Sequence, residues 1–482
     1  MKKDALKFVQ NQLVRAEDRL SGYLQSPAGS KYPTRTIIVK VRQYYKDFFQ
    51  KKGGHRWILM PGLRGVGKTT IMAQTYFEVL DEMRKYSLEK NRLLFIPLDD
   101  AAENLGIKLQ DILDAYEGIL GTPFEKQTKP IFLFIDETQY DPKWGTVLKA
   151  LYDRCSQVFI FCTGSSALAL RSHPDVIRRA ALERLYPMNF IEYETIKNGI
   201  TPITGLKKSL AESLYGLKTA KESFEALKSL QSSVDQYWTK VDSLDVKNYI
   251  EIGTFPFALK YTDQFQVYET LNDLIGKIIQ TDVPRIGRLR IQTIGMMRRL
   301  LYLLADATDV LATSKLANLL GTNGITLTGV LDVLTSAECL IKIQPYGSAT
   351  SSIRKPTKYC FMSPALRASL LTVAGSDATL ATREGKYWED LVALSLYREF
   401  AAKRKGNLVY DPSQNSADFI LQLPTGVEIA IEVGAGQKGI SQVVNTMQQR
   451  KMSKGIVISS HELALSKDER VVMIPFEIFL LM

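Results

Sequence analysis

Gly62-x-x-x-x-Gly67-Lys68-Thr69 stands between an apolar run, WILM at 57–60, and an amphipathic segment, IMAQTYFEVL at 71–80. This spacing is suited to holding a phosphate chain. Gly62, Gly65 and Gly67 let the backbone turn sharply and come close, so that successive amides and a helix N-terminus surround phosphate oxygens. Lys68 then reaches the β- and γ-phosphates, the Thr69 hydroxyl ligates Mg²⁺, and Thr70 belongs to the same cradle. The expected ligands are therefore ATP and Mg²⁺.

Such a site needs acid at the end of a neighbouring strand, and IFLFIDETQ supplies Asp136 and Glu137 after five apolar residues. Asp136 is expected to hold Mg²⁺ through water, and Glu137 to orient or deprotonate the attacking water, because phosphoryl transfer depends mainly on positioning and charge neutralisation. A third apolar run, VFIFCTGSS, ends level with these in polar residues, so Thr163, Ser165 or Ser166 is a candidate sensor of the γ-phosphate.

The elements around these residues alternate short apolar strands (WILM, LLFIPL, IFLFI, VFIFC) with amphipathic helices, the pattern of a parallel sheet with helical crossovers. With 482 residues the chain is too long for one core. We expect an N-terminal helical segment at 1–54, a nucleotide-binding α/β core at 55–200 and a helical lid or insertion at 201–291. At 292–375, three helical patterns and two strand-like runs form a winged helix-turn-helix, and a small α/β domain at 376–482 closes the chain.

At 45% hydrophobic and 23% charged residues the composition is that of a globular protein. Four scattered cysteines form no metal-binding or disulfide pattern, which points to a reducing, cytoplasmic setting. The N-terminus does not have the pattern of a signal peptide, and no run approaches the roughly 18 apolar residues of a membrane span, so no membrane partner is expected.

Taken together, GLRGVGKTT, FIDETQ with Trp144 and LKALYDR after it, FCTGSS and LYPMNFIEYE resemble the archaeal-type AAA+ ATPases of the STAND-related group, over roughly residues 55 to 480. The resemblance implies an AAA+-like P-loop sheet with helices on both faces, followed by a winged helix and a restriction-endonuclease-like domain. It also implies an arginine finger, which falls on Arg179, with Arg171, Arg178 and Arg184 as other registers. A finger acting in trans would require a homo-oligomer.

The terminal segment resembles the PD-(D/E)xK nuclease core, with Glu389 on a helix, Asp418 in ADFIL and Glu432 in IEVG as metal-facing carboxylates. Gly434 stands where that core has its lysine, so Lys438 would have to reach back, and Gln437 is a second candidate for site duty.

A net charge of +11 favours polyanions. The second helix of the winged segment, LTGVLDVLTSAE, contains no Arg, Lys, Asn or Gln to read bases. Arg285, Arg288, Arg290, Arg298, Arg299, Arg354, Lys355 and Lys358 would instead hold DNA phosphates. The expected function is a nucleotide-driven switch associated with DNA. The alternatives are an ATP-regulated DNA endonuclease, in defence or mobile-element biology, and a nucleotide-gated scaffold with little turnover.

Overall fold

The computed structural model describes residues 2–25, 29, 31–164, 174–286, 291–348, 355–376, 380–436, 439–459 and 462–482. The chain divides into two compact units, Met1–Tyr186 and Pro187–Met482.

In the first unit, helices α1 (Lys2–Ser21) and α2 (Ile38–Phe49) precede strand β1 (Trp57–Pro61) and helix α3 (Lys68–Lys85). Then follow β2 (Leu93–Pro97), α4 (Leu109–Leu120), β3 (Ile131–Asp136), α5 (Trp144–Arg154), β4 (Val158–Gly164) and the short β5 (Ala181–Leu182). The strands run in the order β2-β3-β4-β1-β5, all parallel. β4 thus lies between the strand that leads into the phosphate loop and the strand that ends in Asp136.

Residues alternate between the two faces of each strand, and the two faces differ in kind. Phe132, Phe134, Phe159 and Phe161 form an aromatic layer. Phe48 and Phe49 of α2 pack on Phe132 with ring centroids 5.5 and 4.9 Å away, and Tyr76 of α3 lies 5.5 Å from Phe134. Burying each ring contributes about 2–3 kcal/mol. Leu133, Ile135, Ile160 and Cys162 point to the other face, in one cluster with Ala5, Phe8 and Val9 of α1, Ile112 of α4 and Leu148 of α5. The N-terminal segment is therefore part of this unit's core on both faces.

The second unit begins with helices, among them α6 (Phe190–Asn198), α7 (Ala220–Ser229) and α8 (Gln264–Lys277). Three more, α9 (Ile291–Asp306), α10 (Thr313–Leu320) and α11 (Gly324–Ser336), lead into the antiparallel hairpin of β6 (Leu340–Pro345) and β7 (Lys358–Phe361). After α12 (Pro364–Val373) and α13 (Leu380–Leu396) come β8 (Asn407–Tyr410), β9 (Phe419–Gln422), β10 (Glu428–Val433), α14 (Ser441–Arg450), β11 (Lys454–Ser459), β12 (Ala464–Leu465) and β13 (Val471–Pro475).

These strands form one eight-stranded sheet, β12-β13-β11-β10-β9-β8-β6-β7. β6 continues past its hairpin to pair in parallel with β8, Gln344 beside Val409 and Pro345 beside Tyr410. The hairpin expected to belong to a separate winged helix is thus the edge of the terminal sheet. The expected bounds at 200, 291 and 375 all lie within Pro187–Met482.

Candidate functional site

At the end of β1 the backbone turns through Gly65 and Gly67, whose φ angles are 82° and 95°, a region open to glycine but costly for other residues. Gly62 has a different reason to be glycine: a Cβ there would come within 2.3 Å of the Leu185 carbonyl oxygen. Lys68 opens α3, and its nearly buried ammonium donates to the carbonyls of Gly62 at 2.8 Å and Leu63 at 3.1 Å. The loop therefore folds back over its own lysine.

Across the sheet edge, Thr69 Oγ1 donates to Asp136 Oδ2 at 2.8 Å. The other oxygen, Oδ1, accepts from the hydroxyl of Thr163, which is fully buried. The same Thr163 oxygen accepts the Glu137 backbone N–H at 3.3 Å, and its carbonyl accepts from Thr138 Oγ1 at 2.9 Å. Glu137 adopts the left-handed region, φ 53°, which a residue with a Cβ holds at a cost of about 1–2 kcal/mol. The turn carries the Glu137 carboxylate out of line with Asp136, where the Gln139 side-chain amide donates to it. Burial, with the Glu137 charge alongside, pushes the Asp136 carboxyl up to about 6.

One further residue holds the loop from behind. Arg35, nearly buried and 31 residues before Val66, donates to the Val66 carbonyl within the loop at 2.9 Å and to the Tyr186 carbonyl at 2.9 Å. Sequence reasoning missed Arg35 because nothing local connects it to the loop. Thr163, one of the three candidate sensors of the γ-phosphate, has its hydroxyl between Asp136 Oδ1 and the Glu137 N–H.

With this geometry in place, comparison with known proteins is informative. The uncharacterized protein MJ1637 of Methanocaldococcus jannaschii is 36% identical over 429 residues, spanning 88% of this chain and 84% of its own length. The chain belongs to the MJ1637 family. A second protein of that organism, the uncharacterized MJ1544, is 24% identical over 394 residues, 80% of this chain and 76% of its own. Residues 54–194 match the model of an AAA domain, and residues 243–377 a domain of unknown function, DUF8612.

Among solved structures, the Walker-type ATPase PABY2304 of Pyrococcus abyssi is 14% identical with a TM-score of 0.39, covering 70% of this chain and 95% of that one. The Aeropyrum pernix ORC1 protein in complex with DNA is 11% identical with a TM-score of 0.30, covering 70% and 93%. Likenesses at this level carry no functional argument.

In this MJ1637-family chain the first unit is thus an AAA-type P-loop domain, and the other expected site residues can be located. Arg179 precedes β5, and Ala181 pairs with Ile58 near the start of β1, so Arg179 lies at the sheet edge opposite the phosphate loop. There it makes a two-pronged ion pair with Asp153, 2.8 and 3.0 Å. Arg178 is exposed beside it. Arg184 is nearer the loop: the N–H groups of Glu183 and Leu185 donate to Leu59 and Pro61, extending the pairing to the end of β1. Ser165, Ser166 and Arg171 lie outside the described residues.

In the second unit, Asp418 precedes β9 and faces Glu432 across the antiparallel pairing that sets Phe419 beside Ile431. Asp418 Oδ2 accepts the Val433 N–H at 2.9 Å. Glu389 of α13 is nearly buried, and its partner is Lys358 of β7 at 2.5 Å. Lys358 is therefore not a free basic residue of the hairpin. Gly434 donates its N–H to Ile458; Gln437 and Lys438 lie outside the described residues. Among the described residues no three His, Cys, Asp or Glu side chains converge on a position that would hold a metal ion.

Of the remaining basic residues, Arg298 and Arg299 are exposed on α9 and Lys355 is half-buried. Arg288, Arg290 and Arg354 lie outside the described residues, as does the side chain of Arg285. The four cysteines are buried and unpaired. Among the described residues no helix is long and apolar enough to cross a membrane.

Proposed function

We propose that the first unit binds ATP with Mg²⁺ and hydrolyses it, and that the chain works as a nucleotide-driven switch. The observation that carries this reading is the 2.8 Å contact between Thr69 Oγ1 and Asp136 Oδ2, which joins the loop and the acidic strand. A hydroxyl and a carboxylate that share a proton this way are both ligands suited to Mg²⁺.

The residues fit the nucleotide. Lys68 is a nearly buried ammonium resting on carbonyls rather than on a carboxylate, the arrangement expected of a group that meets phosphate oxygens. Lys68 and the amides of residues 62–70 would hold the phosphates, Thr69 and Asp136 the Mg²⁺, and Glu137 the attacking water. The metal supplies neutralisation of charge on the phosphate oxygens. Arg179 would serve a phosphate only on a second copy of the chain, because in its own chain it lies at the far sheet edge.

For the second unit we propose contact with DNA phosphates through exposed arginines such as Arg298 and Arg299, without base reading, because α11 offers no Arg, Lys, Asn or Gln. The test is hydrolysis of ATP by the full chain, with and without random duplex. Glu137→Gln should bind ATP and hold it unhydrolysed, and duplex binding should weaken steeply with salt. ATP binding without measurable turnover would favour the scaffold reading instead. Absence of duplex binding at low salt would remove the DNA part.

A further inference from the structure

The PD-(D/E)xK resemblance places a divalent ion among Glu389, Asp418 and Glu432, and the side chains do not fit one. A lysine stands there, and it comes from an unexpected place. Lys358 opens β7, the edge strand of the hairpin opposite Ile343, and its ammonium reaches 2.5 Å from Glu389 Oε1, 3.0 Å from the Asp418 carbonyl and 3.5 Å from Asp418 Oδ1. Its charge thus faces three oxygens and also lies 4.4 Å from the centre of the Phe419 ring.

The carboxylate oxygens around it are occupied as well. Glu389 Oε2 accepts from Lys386 Nζ at 2.7 Å, and Asp418 Oδ2 accepts the Val433 N–H at 2.9 Å. Two ammonium groups therefore face Glu389 and Asp418, while the third carboxylate, Glu432, is buried on the neighbouring strand, and charges held among such partly buried side chains must be compensated locally.

The neighbouring residue of α13 repeats the arrangement. Asp390 is fully buried; its Oδ1 accepts the Phe361 N–H at 2.8 Å, and it forms a two-pronged pair with Arg367 at 2.6 and 3.0 Å. β7 is thus tied to consecutive acidic residues of one helix at both its ends, by the side chain of Lys358 and by the backbone of Phe361. A strand held in this way is fixed to the helix.

We propose that the Lys358 ammonium occupies the cation position of this carboxylate cluster, making it a permanent clamp that ties the hairpin to α13 and to the start of β9, takes no divalent ion and cleaves no phosphodiester. This lysine differs in role from the lysine of a metal nuclease, which stands beside a metal that the carboxylates hold. Here the carboxylates hold the lysine itself.

The experiment uses the full chain without nucleotide, comparing wild type, Asp418→Asn and Lys358→Met. Mn²⁺ binding is read by electron paramagnetic resonance, unfolding by calorimetry, and cleavage on supercoiled plasmid. Wild type and Asp418→Asn should bind the same number of Mn²⁺ ions, and neither should nick plasmid. Lys358→Met should unfold several degrees lower and take up one additional Mn²⁺ that raises its unfolding temperature again. Plasmid nicking or Mn²⁺ uptake by wild type that Asp418→Asn abolishes would overturn the proposal. So would a folded Lys358→Met chain that gains no ion. If Lys358→Met does not fold, the comparison of wild type with Asp418→Asn decides alone.

Discussion

Thr163→Val removes one hydroxyl from the centre of the nucleotide site and leaves the shape of the side chain almost unchanged. That hydroxyl donates to Asp136 and accepts the Glu137 N–H at 3.3 Å. A hydrogen bond to a charged group is worth about 1.5–3 kcal/mol, and the longer one to the amide about 0.5 kcal/mol. The carboxylate of Asp136 keeps Thr69 as a partner, so the expected loss is about 2–3.5 kcal/mol. For a unit of this size each kcal/mol moves the unfolding temperature by about 2–4 °C, which gives a fall of about 4–14 °C.

The transition to follow is the one that ADP with Mg²⁺ raises, since a ligand stabilises the unit that binds it. Turnover of ATP should fall at least about tenfold, the equivalent of 1.4 kcal/mol in positioning Asp136 and Glu137. A Thr163→Val chain that unfolds within a degree of wild type and hydrolyses ATP at the wild-type rate would refute this account of Thr163.

Arg35→Met removes the two bonds that hold the Val66 and Tyr186 carbonyls. ATP affinity should fall about tenfold or more while Mg²⁺ dependence persists, as measured by titration calorimetry; unchanged affinity would show that the loop holds itself. Glu194 of α6 is fully buried; among the described residues Oε1 meets no hydrogen-bond donor, and Oε2 accepts from Asn198 at 2.8 Å. Burial raises its carboxyl above the ordinary value, and the nearby Asp245 adds to this. A raised folded value means that its contribution is full below the unfolded value and is lost as pH rises through the folded one. Glu194→Gln should therefore be more stable than wild type at pH 8 in urea unfolding, with the advantage gone at pH 4; an equal difference at both would contradict the assignment.

The phosphate loop and Asp136-Glu137 were legible because each is a local pattern: spacing within eight residues, or acid at the end of one apolar run. The parallel sheet was legible for the same reason, since buried strands read as short apolar runs. What could not be read was pairing at a distance. Arg35 meets Val66 only once α2 has packed on the aromatic layer, and β6 meets β8 across more than 60 residues of intervening chain. Lys358 looked like one more basic residue in a polar loop, and only the placement of β7 against α13 turns it into a buried partner of Glu389. Arg179 was located by a resemblance in motif order, whereas the sheet register puts it at the edge away from the loop.

The central claim is that Thr69 and Asp136 form the Mg²⁺ position of a nucleotide site, and titration of the full chain with ATP in Mg²⁺ and in EDTA tests it most directly. Wild type should bind ATP more tightly with Mg²⁺ than without, Thr69→Val should bind equally weakly in both, and Lys68→Ala should lose most affinity in either. Equal binding by wild type with and without Mg²⁺, or an undiminished Mg²⁺ effect in Thr69→Val, would contradict it.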